Sequence, residues 1–509
     1  MDATTTYAYN RLDQLTGVTD AVGNATSVTY DRLGRKLSLA DPDLGSWTYA
    51  YAKAFGDVTS QTDAKSQVLD FVYDLLHRLI QRKQGTTVLA EFVYDEVTGP
   101  FAGYNGLGRR TTMKYGSGLA NTMKYFYDGR GRAIKTEHLL GGTTYVRQST
   151  YDELDRVLAV VQPNNEVVAY AYGDHGQPIS LGSSRWGPIV KSAAYNTLLR
   201  PTSLALNNGV TPACQYWGVE YRPAGNPNGH FGLTRSMIAG SLQNLTYDYD
   251  PKNNVASLQD TIVGETITFA YDHLDRLTSA VSALLNETYS YTKIGTFVTK
   301  AGVAYSYPAA GQPRPHAPTA VGGNAYTYDN DGNLATAEGR TYTHDVENRL
   351  TGLSGDVTKS FNYDGDGVLR TSTEGGVTTR CVFGDYRVNA STGEAFVYYR
   401  FGGRAVAWSG NSFVNYLLAD HLASSHGEAN SAGAQVGQRR SKPFGSDRAV
   451  SGAPDLTVDE RFTAQRRLDA GGGNANRDST TTAPAGTCRA WASSRSRIPR
   501  VPPVATRRG

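Results

Sequence analysis

The chain has 509 residues, of which 39% are hydrophobic, and a formal net charge of +3. That length exceeds what one hydrophobic core usually serves, so several domains or a repeat array are expected. The near-neutral body argues against nucleic-acid binding; Cys214, Cys381 and Cys488 form no disulfide or zinc spacing, and no 18-residue apolar run marks a membrane span.

Gly (55) and Tyr (33) are abundant, which suits short half-buried strands joined by tight turns. The first ten residues, MDATTTYAYN, lack a basic n-region and an apolar h-region, so no export signal is expected within the chain. Tyr9, Tyr30, Tyr51, Tyr73 and Tyr94 then follow at intervals of 21, 21, 22 and 21 residues. At most copies the Tyr precedes an Asp, and an Arg stands five residues after it. The first full copies are Tyr30-Asp31 with Gly34 and Arg35, and Tyr73-Asp74 with Arg78. Next come Tyr127-Asp128 with Gly131 and Arg132, Tyr151-Asp152 with Arg156, and Tyr271-Asp272 with Arg276. Tyr328-Asp329 with Gly332, His344-Asp345 with Arg349, and Tyr363-Asp364 close the series. The wider gaps from Tyr94 to Tyr127 and from Tyr291 to Tyr328 are expected to hold inserted loops.

Asp bonds its own backbone two residues on and Gly takes positive φ, so DRLGR over 31–35 and DGRGR over 128–132 are predicted hairpin turns. The flanks alternate, as in Val28-Thr29-Tyr30, which is strand periodicity. One unit is then two strands and two turns in about 20 residues. A lone hairpin cannot bury its apolar face, whereas stacked hairpins can, and a long antiparallel sheet winds as it grows.

The pattern Tyr-Asp-x-x-Gly-Arg at this period resembles the YD repeat of the RHS family, relatives of teneurins and of toxin-complex shell subunits. The resemblance runs from Tyr9 to about Gly445 and is especially close over YTYDNDGNLATAEGRTYTHDVENRLTGL. It implies an all-β fold: an array of YD-repeat β-hairpins spiralling into a partial hollow β-shell around a polypeptide cargo or toxin. Residues 1–380 are expected to form the repeat shell, 381–470 an incomplete start of the family's core region, and 471–509 a disordered basic tail. Asp420-His421-Leu422 matches the family's core motif Asp-His-Leu-Gly-Ser, with Ala423 where that motif has Gly. Pro443-Phe444-Gly445 and Arg461-Phe462-Thr463-Ala464-Gln465 match further family motifs. Beyond Asp469 the pattern stops. A shifted frame across RDSTTTAPAGTCRAW, with allowed codons, reads the family's continuation, so a frameshift between about Asp469 and Arg477 is expected. The family's self-cleaving motif and variable toxin are not recognisable.

Sharper chemistry finds less support. Asp420-His421 with His426 has no convergent ligand spacing, so a turn is expected rather than a metal site. Asp329-x-Asp331-Gly332 and Asp364-x-Asp366-Gly367 lack the third carboxylate and distant Glu of a calcium loop. The recurrent Arg is expected to pair with the turn Asp or stack on a neighbouring Tyr. No catalytic residue, cofactor or metal is expected. The alternative to a cargo-holding shell is a module that binds a cell-surface glycan or protein, and a third reading is an enzyme with aspartyl self-cleavage.

Overall fold

A computed structural model describes residues 3–52, 56–221, 229–450, 452–467 and 482–484. Among the described residues there is no α-helix, and 42 strands form one antiparallel sheet that does not close. Each strand hydrogen-bonds to the strand before it and the strand after it along the chain, so the topology is a simple meander. The meander runs on through the stretch after residue 380, where Val377–Phe383 pairs with Tyr386–Asn389.

Alternation follows the sequence pattern. In Gly45–Tyr51 the half-buried positions are Trp47, Tyr49 and Tyr51, while Ser46, Thr48 and Ala50 face solvent. In this strand one face is therefore aromatic and crowded and the other is small and polar.

The turns bend this sheet in a regular way. At each repeat the register slips beside the motif Tyr: Thr29 pairs with Ser38 but Tyr30 with Lys36, and Thr150 with Ala159 but Tyr151 with Val157. Leu37 and Leu158 are the extra residues on the returning strands. Such bulges bend a strand and raise its right-handed twist. Recurring at the same place in successive hairpins, they add up to curvature in one sense.

The curvature brings the chain back over itself. Going up the first wind, Asp43 meets His316, Lys65 meets Asp329, Arg110 meets Asp366, Arg147 meets Asp385 and Asn208 meets the Asn430 carbonyl. The sequence separation falls from 273 to 222 residues along this seam, so the later wind covers the same arc with a shorter chain. Gly332 has a φ of +77°, and a Cβ there would lie 2.4 Å from the Asp43 carbonyl oxygen, so the close approach of the winds requires glycine. The largest apolar cluster fills the overlap, joining Phe92, Met113 and Leu181 of the first wind to Val382, Val397 and Tyr399 of the second. His138 sits inside it, fully buried: its Nδ1–H donates to the Val382 carbonyl and its Nε2 accepts the Tyr115 hydroxyl proton. Burial pushes that imidazole down to about 3, so it stays neutral.

Last, residues 454–463 leave the ladder and lie as a strap across the sheet. Leu456 and Val458 pack on Tyr398, Trp408 and Leu417. Asp459 takes Arg387, Glu460 takes Arg400, and the Thr457 amide donates to Glu428 at 2.8 Å.

Candidate functional site

The repeated turn is the most frequent constellation in the molecule, and the copy at Asp128 shows its parts. Asp128 Oδ1 accepts the amides of Arg130 (2.9 Å) and Arg132 (3.0 Å), while Oδ2 accepts Arg132 Nε at 2.7 Å. Arg132 Nη1 reaches the next unit and donates to the Asp152 carbonyl at 2.8 Å. The guanidinium carbon lies 5.1 Å from the centroid of the Tyr151 ring, and the Tyr151 hydroxyl donates back to the Ala133 carbonyl at 2.9 Å. Asp thus shapes its own turn, Arg crosses to the following unit, and Tyr ties that unit back to the strand after the Arg.

The same arrangement recurs. Arg35 stands over Tyr51, Arg78 over Tyr94, Arg156 over Tyr172, Arg276 over Tyr291 and Arg349 over Tyr363. Asp31, Asp74, Asp152, Asp272 and Asp345 each bind the Arg four residues on. Tyr30, Tyr271, Tyr328 and Tyr363 donate to the carbonyls of Leu15, Val255, Pro318 and Leu350. Tyr73 ends its strand at the same register slip, pairing with Leu79. The backbone amide of Arg35 chiefly holds Asp31 below the ordinary carboxylate range, and that of Arg78 does so for Asp74. Gly34, Gly131 and Gly332 occupy the left-handed position of the turn, and His77, Asp155, Asp275 and Asn348 adopt it in other copies.

The two sequences that resemble calcium loops are otherwise engaged. Asp329 binds Asn333 and Lys65, and Asp331 accepts the Ala64 amide at 2.8 Å. Asp366 holds Arg110 in a two-bond pair at 2.8 and 2.6 Å, and Asp364 binds Arg370. Burial pushes Asp366 up, but Arg110 more than offsets this and leaves it below the usual range. Among the described residues no group of three or more His, Cys, Asp or Glu side chains is placed to hold a metal ion.

Asp420-His421-Leu422 forms a turn of the same design between Val414–Ala419 and Ser425–Ala429. Asp420 Oδ1 accepts the amides of Leu422 (2.9 Å) and Ser424 (2.8 Å), and Ala423 takes the left-handed position with φ +65°. The His421 ring packs on Tyr247 of the first wind, with centroids 4.4 Å apart. Burial raises the Asp420 carboxyl and lowers the His421 imidazole, so the pair favours neutral forms. Pro443 and Phe444 begin the last turn of the meander, where Phe444 meets Tyr289 edge-on. The expected frameshift and basic tail fall almost wholly outside the described residues.

Wound antiparallel hairpins, locked unit to unit by Tyr, Asp and Arg, define an all-β YD-repeat shell fold. Residues 3–44 match the RHS Repeat family. Human teneurin-1 is 25% identical over 191 residues, covering 33% of this chain and 7% of teneurin-1. The crystal structure of TcdB2-TccC3-Cdc42 superposes with a TM-score of 0.75 at 15% identity, covering 91% of this chain and 28% of that one. A Tc holotoxin pore structure from Photorhabdus luminescens gives a TM-score of 0.73 at 16% identity, with 91% and 27% covered. Together these findings support an RHS/YD-repeat family for this chain. The chain spans less than a third of the length of the relatives it matches.

Sequence reasoning missed the residues that join one wind to the next, notably His316, Lys65, Arg110 and Arg147. Each partner lies more than 230 residues away. It also missed the strap and its buried ion pairs. The adjacent Asp459 and Glu460 were the one available signal, since paired acids beside an apolar Leu-Thr-Val run suggest a packed segment.

Proposed function

We propose that this chain is a wall segment of an RHS-type shell that holds or shields a polypeptide cargo. The observation that carries the reading is the winding itself: a single sheet whose successive winds are bonded along a seam. A sheet built to pack as a sandwich would cover its apolar face with a second sheet or with helices. Here the alternating inward positions of Ala25–Tyr30 and Gly45–Tyr51 are only half-buried, so no second layer seals them. Tyr30, Asp31, Gly34, Arg35 and their counterparts are scaffold in this reading, and Asp420-His421-Leu422 is a corner of the core region rather than a reactive pair. Residues 1–380 supply the repeat wall and 381–470 begin the core region that meets it. The test is to express the full chain with an unstructured, protease-sensitive reporter fused to its C-terminus. Enclosure predicts cleavage at least about tenfold slower than for the free reporter, and equal rates would refute it.

A further inference from the structure

Because the sheet is a meander, the Tyr–Asp turns of the first wind all open on one rim. The turns carrying Asp20, Asp43 and Lys65, which tie to the second wind, lie on the opposite rim. The Tyr–Asp rim has a repeated feature that the wall does not use. Two residues before the residue that closes the turn, as Leu33 precedes Arg35, stand Leu12, Leu33, Leu76, Leu107, Leu154 and Leu198. They range from 42% exposed at Leu198 to 75% at Leu33, and Leu75, beside Leu76, is 99% exposed.

The same position in the second wind shows what a turn carries when another wind lies against it. Asp331, Glu347 and Asp366 stand there, and they bind Lys65, Arg82 and Arg110 of the first wind. Winds therefore meet through acid and base, and a row of leucines is not a seam of that kind. A single exposed leucine needs no explanation, but leucines recurring along one edge, with Leu75, Leu76 and Leu107 on neighbouring turns, mark an interaction surface. Charge along the rim changes sign about that point. Arg32 and Arg11 lie two and three turns before the Leu76 turn, and Glu153 and Asp174 lie two and three turns beyond the Leu107 turn. All four are exposed and none has an ion pair among the described residues, whereas Arg130, between them, is bound to Asp155.

We infer that this rim pairs with the same rim of a second copy of the chain, about a two-fold axis passing between the turns of Leu76 and Leu107. Such an axis reverses the order of the turns, so the surface has to complement itself about that point. It does so: leucine meets leucine at the axis, Arg32 meets Glu153 two turns out, and Arg11 meets Asp174 three turns out. An apolar centre between charged ends is the ordinary anatomy of a protein–protein contact. Neighbouring turns on one rim are two strands apart, about 9.6 Å, so the stretch from the Leu12 turn to the Asp174 turn runs about 67 Å. At a sheet thickness of about 10 Å this gives about 670 Å² per copy, close to the roughly 800 Å² of a standard interface. The inference concerns the rim alone and stands whether or not the shell holds a cargo.

Sedimentation equilibrium of the full chain up to about 100 μM tests it, with a monomer–dimer equilibrium expected. Asp13 stands beside Arg11 and blunts the outer pair, so the charge swap is placed at Arg32 and Glu153. Arg32→Glu and Glu153→Arg, each alone, set like charges opposite one another at two symmetric contacts and should weaken dimerisation at least about tenfold. The double variant restores opposite charges and should return to within about threefold of the parent. Leu76→Asp, at the axis, should weaken dimerisation at least about tenfold and leave the urea unfolding midpoint of the monomer unchanged. A chain that stays monomeric at about 100 μM would overturn the inference. So would a dimer indifferent to Leu76→Asp, or a double variant as weak as either single one.

Discussion

The strap can be tested as a unit with its own stability. Leu456 is 4% exposed and packs with Val458 on Tyr398, Trp408 and Leu417. Cutting a buried leucine back to alanine costs about 2–5 kcal/mol, and one at the sheet's surface, where neighbours can settle, belongs in the lower part of that range. The loss falls on the attachment of residues 454–463, because the strands beneath keep their ladder bonds. At about 1.4 kcal/mol per factor of ten, a 2 kcal/mol loss makes local opening roughly 30-fold more frequent. Hydrogen exchange of Leu456→Ala should therefore quicken by roughly 30-fold at the Thr457 amide, which is protected only by Glu428. Exchange in Ala395–Phe401 should change far less. If Thr457 changes by less than about threefold, or the strands accelerate equally, the strap is not a separable element and the reasoning fails.

His316 gives a pH test of the seam. It lies between Asp43 at 2.6 Å and Asp20 at 3.1 Å, and the Asp43 hydrogen bond chiefly raises its pKa. A raised value means the tie is at full strength below the free histidine value of about 6.5 and is lost as pH climbs through the folded value. Protection of the His316 amide, which donates to Asp43, should fall over that rise, and His316→Gln should flatten the profile. A profile unchanged by the substitution would remove His316 as the cause. Ala423→Gly should stabilise the Asp420 turn: the left-handed conformation costs an L-residue about 1–2 kcal/mol, and glycine gives back about 0.4–1 kcal/mol in the unfolded chain. The net gain of about 0.5–1 kcal/mol should raise the urea midpoint at constant slope, and a lower midpoint would contradict it.

The local half of this architecture was written in the sequence. Tyr30-Asp31 with Gly34 and Arg35 announces a turn because its residue types have few other uses at that spacing, and the strand alternation follows from it. The Arg contacts could also be anticipated, since guanidinium, carboxylate and ring stand a fixed step apart. The partner of the Tyr hydroxyl was less accessible: it depends on the bulge, which no residue type marks. The seam was hidden altogether. Whether Asp43 meets His316 or a residue one hairpin away depends on the accumulated twist of many strands, and small errors per strand add. The pairs of Arg440 with Asp260 and of Arg448 with Glu265 are concealed for the same reason, as the partners lie 180 and 183 residues away.

The seam also sets a rule of phase. From Asp43 to Asn208 its ties join residues 273 to 222 positions apart, while one repeat takes about 21 residues of chain. Deleting a single repeat of the first wind beyond Arg147 leaves every local turn intact yet shortens each tie that spans it, so that Arg110 and Arg147 would face Arg387 and Val406, about one repeat on, in place of Asp366 and Asp385. Such a chain behaves like a screw thread: individual ridges can be recut freely, but the number between two tied residues is fixed. Change in this protein is thus easiest within a repeat, and costliest in the count of repeats.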